Sequence, residues 1–400
     1  MHSAIDLTDL PVIDAHCHSY LESPKVLGSE DFARYSSILA VRPDFLSEEF
    51  APNQSRLRDS RARLLQMYSE QPYVNYMVRL LSRFLGCEPN LKAVATARSL
   101  RAKDFDNYVK EMFDDVRLRG LVLDGGYPPL PEEALKRFPA KVVRVFRIET
   151  FIKELLDRHN AFDGFYSEYE SGIRHAIESE GYVGLKSIIA YRTGLKIRRV
   201  ALDDAKKDFK DVKDGHAELA WFGPRAKALR DFLIVRALEL SIDLNVPMQI
   251  HTGVGDYDIV LDQCDPSLLY DLLKDNWLRH ATVVLVHAGF PNSQNAAFMA
   301  SVLPNVFLDF SLTIPFLNPV SHDRLMEMLQ IAPASKIMYG SDGFSIPEIF
   351  WLAVKVGKRA LEKCFDVFLE EGVFDEGEIE SMARRILFDN ANQLYKLGFR

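Results

Sequence analysis

Residues 12–21 read VIDAHCHSYL, an apolar run ending in two histidines one residue apart, His16 and His18. Side chains at i and i+2 of a strand point to one side, so both imidazoles can face the same space while Cys17 turns away. Two further histidines close β-branched runs downstream, His251 in MQIHTGVGD and His287 in VLVHAGFP, and Asp342 closes another in MYGSDG. A single histidine at such a position reads as a hydrogen-bonded structural residue. Four of the chain's ten histidines plus an aspartate at matching strand ends exceed what packing explains. Neutral imidazole and carboxylate are ligands for a Zn2+-type ion, at about 2.0–2.2 Å. Three histidines and one carboxylate leave room for a water, whose pKa such an ion lowers to about 7.

Eight short apolar runs would have to position these residues: 11–17, 119–125, 141–149, 182–190, 246–252, 281–288, 305–311 and 335–342. Their nearly continuous Val, Ile and Leu content suits strands buried on both faces of a parallel sheet. Helical patterns separate them, clearest at 226–243, and the tail from residue 346 reads as helix almost throughout. The alternation predicts an α/β protein, a (β/α)8 TIM barrel with its site at the C-terminal ends of the strands. Residues 1–18 and 119–400 would form the barrel, and 19–118 a mainly helical insertion within the same domain. That insertion is expected to cap the mouth or to make a subunit contact, which leaves a homo-oligomer open. The charged stretch 194–225 reads as a solvated face or a lid. An open doubly wound sheet would need a glycine-rich phosphate loop after an early strand, and none is present.

The 400 residues are 48% hydrophobic and 26% charged, enough for a large buried core. A net charge of −8 argues against a general nucleic-acid binder. The four cysteines, 17, 87, 264 and 364, form no close pair and read as free thiols. MHSAIDLTDL lacks a secretion-signal pattern, and no apolar run approaches the roughly 20 residues that span a bilayer. A cytoplasmic protein acting on a small molecule is expected, away from nucleic acid and membrane.

The HxH pair, the histidines ending the fifth and sixth strands and the aspartate ending the eighth resemble the amidohydrolase superfamily. GLKSIIAYRTGL (184–195), LPNVFLDFSLTIP (303–315) and IMYGSDGFSIPE (337–348) narrow the resemblance to its amidohydrolase-related branch of TIM-barrel metal-dependent hydrolases. That branch includes the barrel fused to a glutamine-synthetase-like domain in nodulin-type proteins. This chain ends after the barrel, so no synthetase domain is expected in it. The resemblance implies metal ligands at His16, His18, His251 and Asp342, with Asp342 also shuttling a proton. It gives His287 the role of orienting or deprotonating the attacking water, or of binding a second ion. It implies a divalent metal, Zn2+ before Mn2+ or Fe2+. It implies hydrolysis of an amide or other C–N bond, or an ester, in a carboxylate-bearing molecule, with γ-glutamyl or related amide compounds as the suggested substrates. The same branch contains decarboxylases with nearly the same ligands, so non-oxidative decarboxylation is the alternative. A non-catalytic metal-binding barrel is a third reading.

Binuclear relatives carry a carbamylated lysine at the end of the fourth strand. Lys186 lies four residues before Ala190, too deep for that role on this reading, so one ion is favoured over two. Arg192 is expected to clamp a substrate carboxylate or to form a structural ion pair, with Tyr191 beside it. Arg147 and Glu149 would face the mouth or pair with each other. Asp256 and Asp258 would orient a ligand histidine or serve a turn, and Asp14 would have a structural hydrogen-bonding role.

Overall fold

The computed structural model describes residues 5–21, 23, 25–37, 54–126, 130–214, 226–320 and 322–400. Parts of the expected insertion (22, 24 and 38–53) and of the charged stretch (215–225) lie outside the described residues. All eight apolar runs form strands: β1 Val12–Cys17, β2 Leu118–Asp124, β3 Lys141–Arg147, β4 Tyr182–Ser187, β5 Met248–His251, β6 Val283–Val286, β7 Val306–Asp309 and β8 Ile337–Met338. They pair in chain order and every pair is parallel, with helices between them. This is a TIM barrel.

The first and last strands meet through separate backbone bonds. Ala15 N donates to Tyr339 O at 2.9 Å, Asp342 N to His16 O at 2.9 Å, and His18 N to Gly343 O at 2.7 Å. Asp14 reinforces this seam. Its Oδ1 accepts from Ser341 N at 2.8 Å and its Oδ2 from the Ser341 hydroxyl. The barrel interior is filled by Ile13, Ala15, Val122, Val145, Val284, Val286 and Met338. Phe388, Ala391, Tyr395 and Leu397, from the C-terminal segment, plug it at the start of the strands. Strict alternation from Ile13 and Ala15 would put Cys17 inside, yet Cys17 joins the outer core. The β1–β2 register shifts between Asp14 and Cys17, and that irregularity resets the alternation in favour of His16 and His18.

The insertion contributes helices Ser29–Ser36, Gln54–Glu70, Pro72–Leu85, Leu91–Arg101 and Phe105–Asp115. Pro72 opens the third of these and Gly86, at φ 68°, ends it; Asn90 caps the fourth through Ala93 N at 2.9 Å. Its described part docks on the long helix Pro347–Glu370 that follows β8. Phe84 meets Trp351 at a ring separation of 5.3 Å, and Trp351 Nε1 donates to Asp115 at 2.6 Å. At the rim of the mouth Tyr73 packs on Phe316 at 4.9 Å. The charged helix Leu202–Lys213 buries Ala205 and Phe209 against outer helices, giving a solvated face. All four cysteines are free thiols. Among the described residues no helix is long and apolar enough to cross a membrane.

Asp14→Ala leaves the Ser341 donors without their acceptor and is expected to lower stability by about 1–3 kcal/mol in urea titrations. Burial pushes the Asp14 carboxyl up to about 7, so the fold favours its neutral form. Its contribution is complete below the ordinary carboxyl value and falls as pH rises toward 7. The gap between wild type and variant should therefore narrow from pH 4 to pH 7.5; a constant gap would contradict this account.

Candidate metal centre

His16, His18 and Asp342 come together at the seam, with one ligand atom from each lying within 4.8 Å of the others. Asp342 Oδ1 stands 3.5 Å from His16 Nε2 and 3.4 Å from His18 Nε2. Ligand atoms of a tetrahedral ion with bonds of about 2.1 Å stand about 3.4 Å apart, so this spacing fits such an ion. His16 is buried, whereas the side chains of His18 and Asp342 keep 20% and 16% exposure, so the group opens toward the mouth. His18 Nδ1 faces Asp124 O at 3.3 Å, which leaves Nε2 for the ion. Asp342 has φ 56° and His287 φ 67°, left-handed conformations that a non-glycine residue adopts only where its surroundings hold it. Neighbouring imidazoles outweigh burial and hold Asp342 well below the ordinary carboxyl range, so it is ionised. Burial pushes His16 and His251 well down, and His287 down to about 4, so these three are neutral at pH 7.

His251 lies outside the three-residue group and connects to it through His287. Its ring is 4.4 Å from that of His287, which is 5.5 Å from that of His16. A hydrogen-bond chain sets its tautomer. The Ser311 hydroxyl donates to Asp309, so Ser311 Oγ accepts from His287 Nδ1 at 2.8 Å. Neutral His287 then carries a lone pair on Nε2, which accepts from His251 Nδ1 at 3.0 Å. The remaining lone pair, on His251 Nε2, is buried without a protein partner. A histidine that donates one ring N–H and leaves the other nitrogen bare is poised as a metal ligand. Gly255 keeps the approach open, since a Cβ there would lie 3.0 Å from His251 Nε2 and overlap the Tyr191 hydroxyl. Burial raises Asp309 to about 6, leaving it mainly ionised at pH 7. Asp309 and Ser311 were not among the expected site residues, although their i, i+2 spacing at the end of β7 repeats that of His16 and His18.

Lys186 is not too deep. β4 stops at Ser187 because residues 189–191 turn into a 3-10 helix, so Lys186 is the penultimate strand residue, with Nζ 3.2 Å from His16 Nε2. Burial lowers it to about 8. Arg192 is buried, bonds to Tyr191 O at 3.1 Å and lies 3.8 Å from Asp258. Tyr191 packs its ring 4.5 Å from His251, and its hydroxyl accepts from Asp256 N at 3.2 Å. No described bond joins Asp256 or Asp258 to a ligand histidine; Ser311 and Asp309 supply that orientation. Arg147 and Glu149 do not pair. Arg147 ends β3 and bonds Asp124, while Glu149 sits in the first turn of helix Ile148–Arg158 and accepts from Ser187 Oγ at 2.6 Å and Ile188 N at 2.9 Å. The change from strand to helix between them turns the two side chains apart.

The amidohydrolase family model matches residues 210–397, a stretch that contains His251, His287 and Asp342. Protein fluG of Emericella nidulans is 32% identical over 245 residues, which cover 59% of this chain and 28% of that protein; the chain thus spans well under a third of this curated relative. A Lactobacillus casei protein assigned to the metal-dependent hydrolases superposes with a TM-score of 0.80 at 22% identity, covering 98% of this chain and 96% of that one. Uronate isomerase of Thermotoga maritima superposes at 0.68 and 14% identity, covering 97% and 95%. These two likenesses show the fold. The protein is a TIM barrel, and the later part of its chain is similar to the amidohydrolase family.

Ser311→Ala removes the acceptor that fixes the His287 tautomer. It is expected to weaken Zn2+ binding about tenfold or more in chelator competition, with circular dichroism unchanged. Wild-type affinity in the variant would show that the hydrogen-bond chain does not reach His251.

Proposed function

We propose that the protein is a metal-dependent hydrolase that cleaves an amide or other C–N bond, or an ester, of a small carboxylate-bearing molecule. The observation that carries this reading is the trio His16, His18 and Asp342 at ligand spacing, with the bare, buried His251 Nε2 nearby. Imidazoles with one ionised carboxylate suit a single divalent cation, Zn2+ before Mn2+ or Fe2+. Held there, such an ion would acidify a water and polarise a carbonyl.

The chain's own residues would then act as follows. Asp342, ionised and open to the mouth, takes a proton from the attacking water and returns it to the leaving nitrogen. His287, neutral and fixed by Ser311, accepts from His251 Nδ1 and so keeps His251 Nε2 bare for the ion. Tyr191 walls the site over His251. Lys186, and Arg192 where it can share its charge between Asp258 and a ligand, offer cations to a substrate carboxylate. Amides of the γ-glutamyl type combine the two required features, a scissile C–N bond and a free carboxylate. A cytoplasmic location belongs to the same proposal.

The test is product analysis with purified protein on carboxylate-bearing amides. Release of ammonia or amine, lost on chelation and restored by Zn2+, is expected, with about one ion per chain by elemental analysis. Asp342→Asn should lower kcat by about 10²–10⁴. Release of CO2 from an unsaturated or aromatic acid, without amide cleavage, would replace hydrolysis by decarboxylation.

A further inference from the structure

Among the contacts of the helical insertion with the segments that follow β1 and β8, one is made by a buried cation. Arg98, on helix Leu91–Arg101, is fully buried, and its guanidinium bonds to partners that include Glu348, Lys25 and Ser23. Nε donates to Glu348 Oε1 at 2.6 Å, Nη1 to Lys25 O at 3.1 Å and Nη2 to Ser23 Oγ at 2.9 Å. Tyr108 OH adds a bond to Glu348 Oε1 at 3.0 Å. Ser23 and Lys25 lie on the segment leaving β1 just after His18. Glu348 lies six residues after Asp342, in the first turn of helix Pro347–Glu370.

Between this node and the metal centre the two segments run side by side. Ser345 N donates to Ser19 O at 3.0 Å, beyond the seam bonds at His18 and His16. Ser345, like Asp342, is held at positive φ, 58°. Two non-glycine residues in left-handed conformations within four positions need an external hold. A guanidinium shared between both segments supplies it, because its fork is rigid and each bond to a charged partner is strong.

We propose that Arg98 is a positioning residue, through which the insertion sets the separation of His16 and His18 from Asp342. This rests on the metal-centre reading above, and it extends the site to a residue that touches neither ion nor substrate.

The test uses the neutral double variant Arg98→Met/Glu348→Gln, which avoids stranding a buried charge and keeps an acceptor for Tyr108. Two readouts are taken. Amide hydrogen exchange in the metal-free protein should rise about tenfold over residues 16–25 and 340–348, and stay at wild-type rates in β5 and β6. Zn2+ affinity should fall about tenfold, with a changed visible spectrum of the Co2+ form. If the double variant does not fold, Ser23→Ala, which deletes one bond to Arg98, is expected to raise exchange over residues 16–25 selectively. Wild-type exchange in both segments, or exchange raised evenly through the barrel, overturns the proposal. A wild-type protein that binds no ion overturns the metal-centre reading instead, and the exchange measurement then decides the role of Arg98.

Discussion

Closure of the barrel between its first and last strands is the constraint on which the site depends. Ala15, His16 and His18 share backbone bonds with Tyr339, Asp342 and Gly343, residues more than 300 positions away. Those bonds bring the HxH pair against the aspartate. Asp14 binds Ser341 across the same seam, so closure is secured one turn of the pleat below the ligands. A parallel barrel with its C-terminal plug in place leaves one end for chemistry, and the functional side chains gather there.

Burial then decides protonation. The imidazoles of His16, His251 and His287 lose water and become poor bases, while Asp342 gains from the nearby rings more than burial takes from it. The result is a set of lone pairs and one negative charge facing a common space, a donor set matched to a divalent cation. Hydrogen bonds do the rest of the selection: Asp309 and Ser311 decide which nitrogen of His287 carries the proton, and His287 decides it for His251. Surrounding cations and carboxylates are mostly committed to one another, as Arg147 to Asp124 and Glu149 to the end of β4. Free charge near the centre is therefore limited to a few groups, Lys186 foremost.

Much of this was legible from local pattern. All eight apolar runs became strands, because Val- and Ile-rich segments buried on both faces have few alternatives to a parallel sheet. The histidines and Asp342 were legible because polar residues closing such runs are conspicuous. Asp309 and Ser311 closed a run too, but serine and aspartate beside a turn carry no distinctive chemistry until a histidine is placed against them. The depth assigned to Lys186 failed for a different reason. SIIA looks like strand by composition, yet the chain leaves the sheet at Ser187, and only the turn at 189–191 reveals it.

By itself the sequence determined the architecture and the conspicuous polar side chains that close its apolar runs: strand count, insertion after the first strand, and the histidines and aspartate at the strand ends. Periodicity and residue type are local properties, and they survive without knowledge of the fold. Tertiary structure alone decided which of those side chains meet. It set the 3.4 and 3.5 Å spacing around Asp342, the break in alternation that turns His16 and His18 into the site, the tautomer of His251, and the burial of Arg98 between two distant segments. Each of these depends on contacts across hundreds of residues, and such contacts leave no period in the chain.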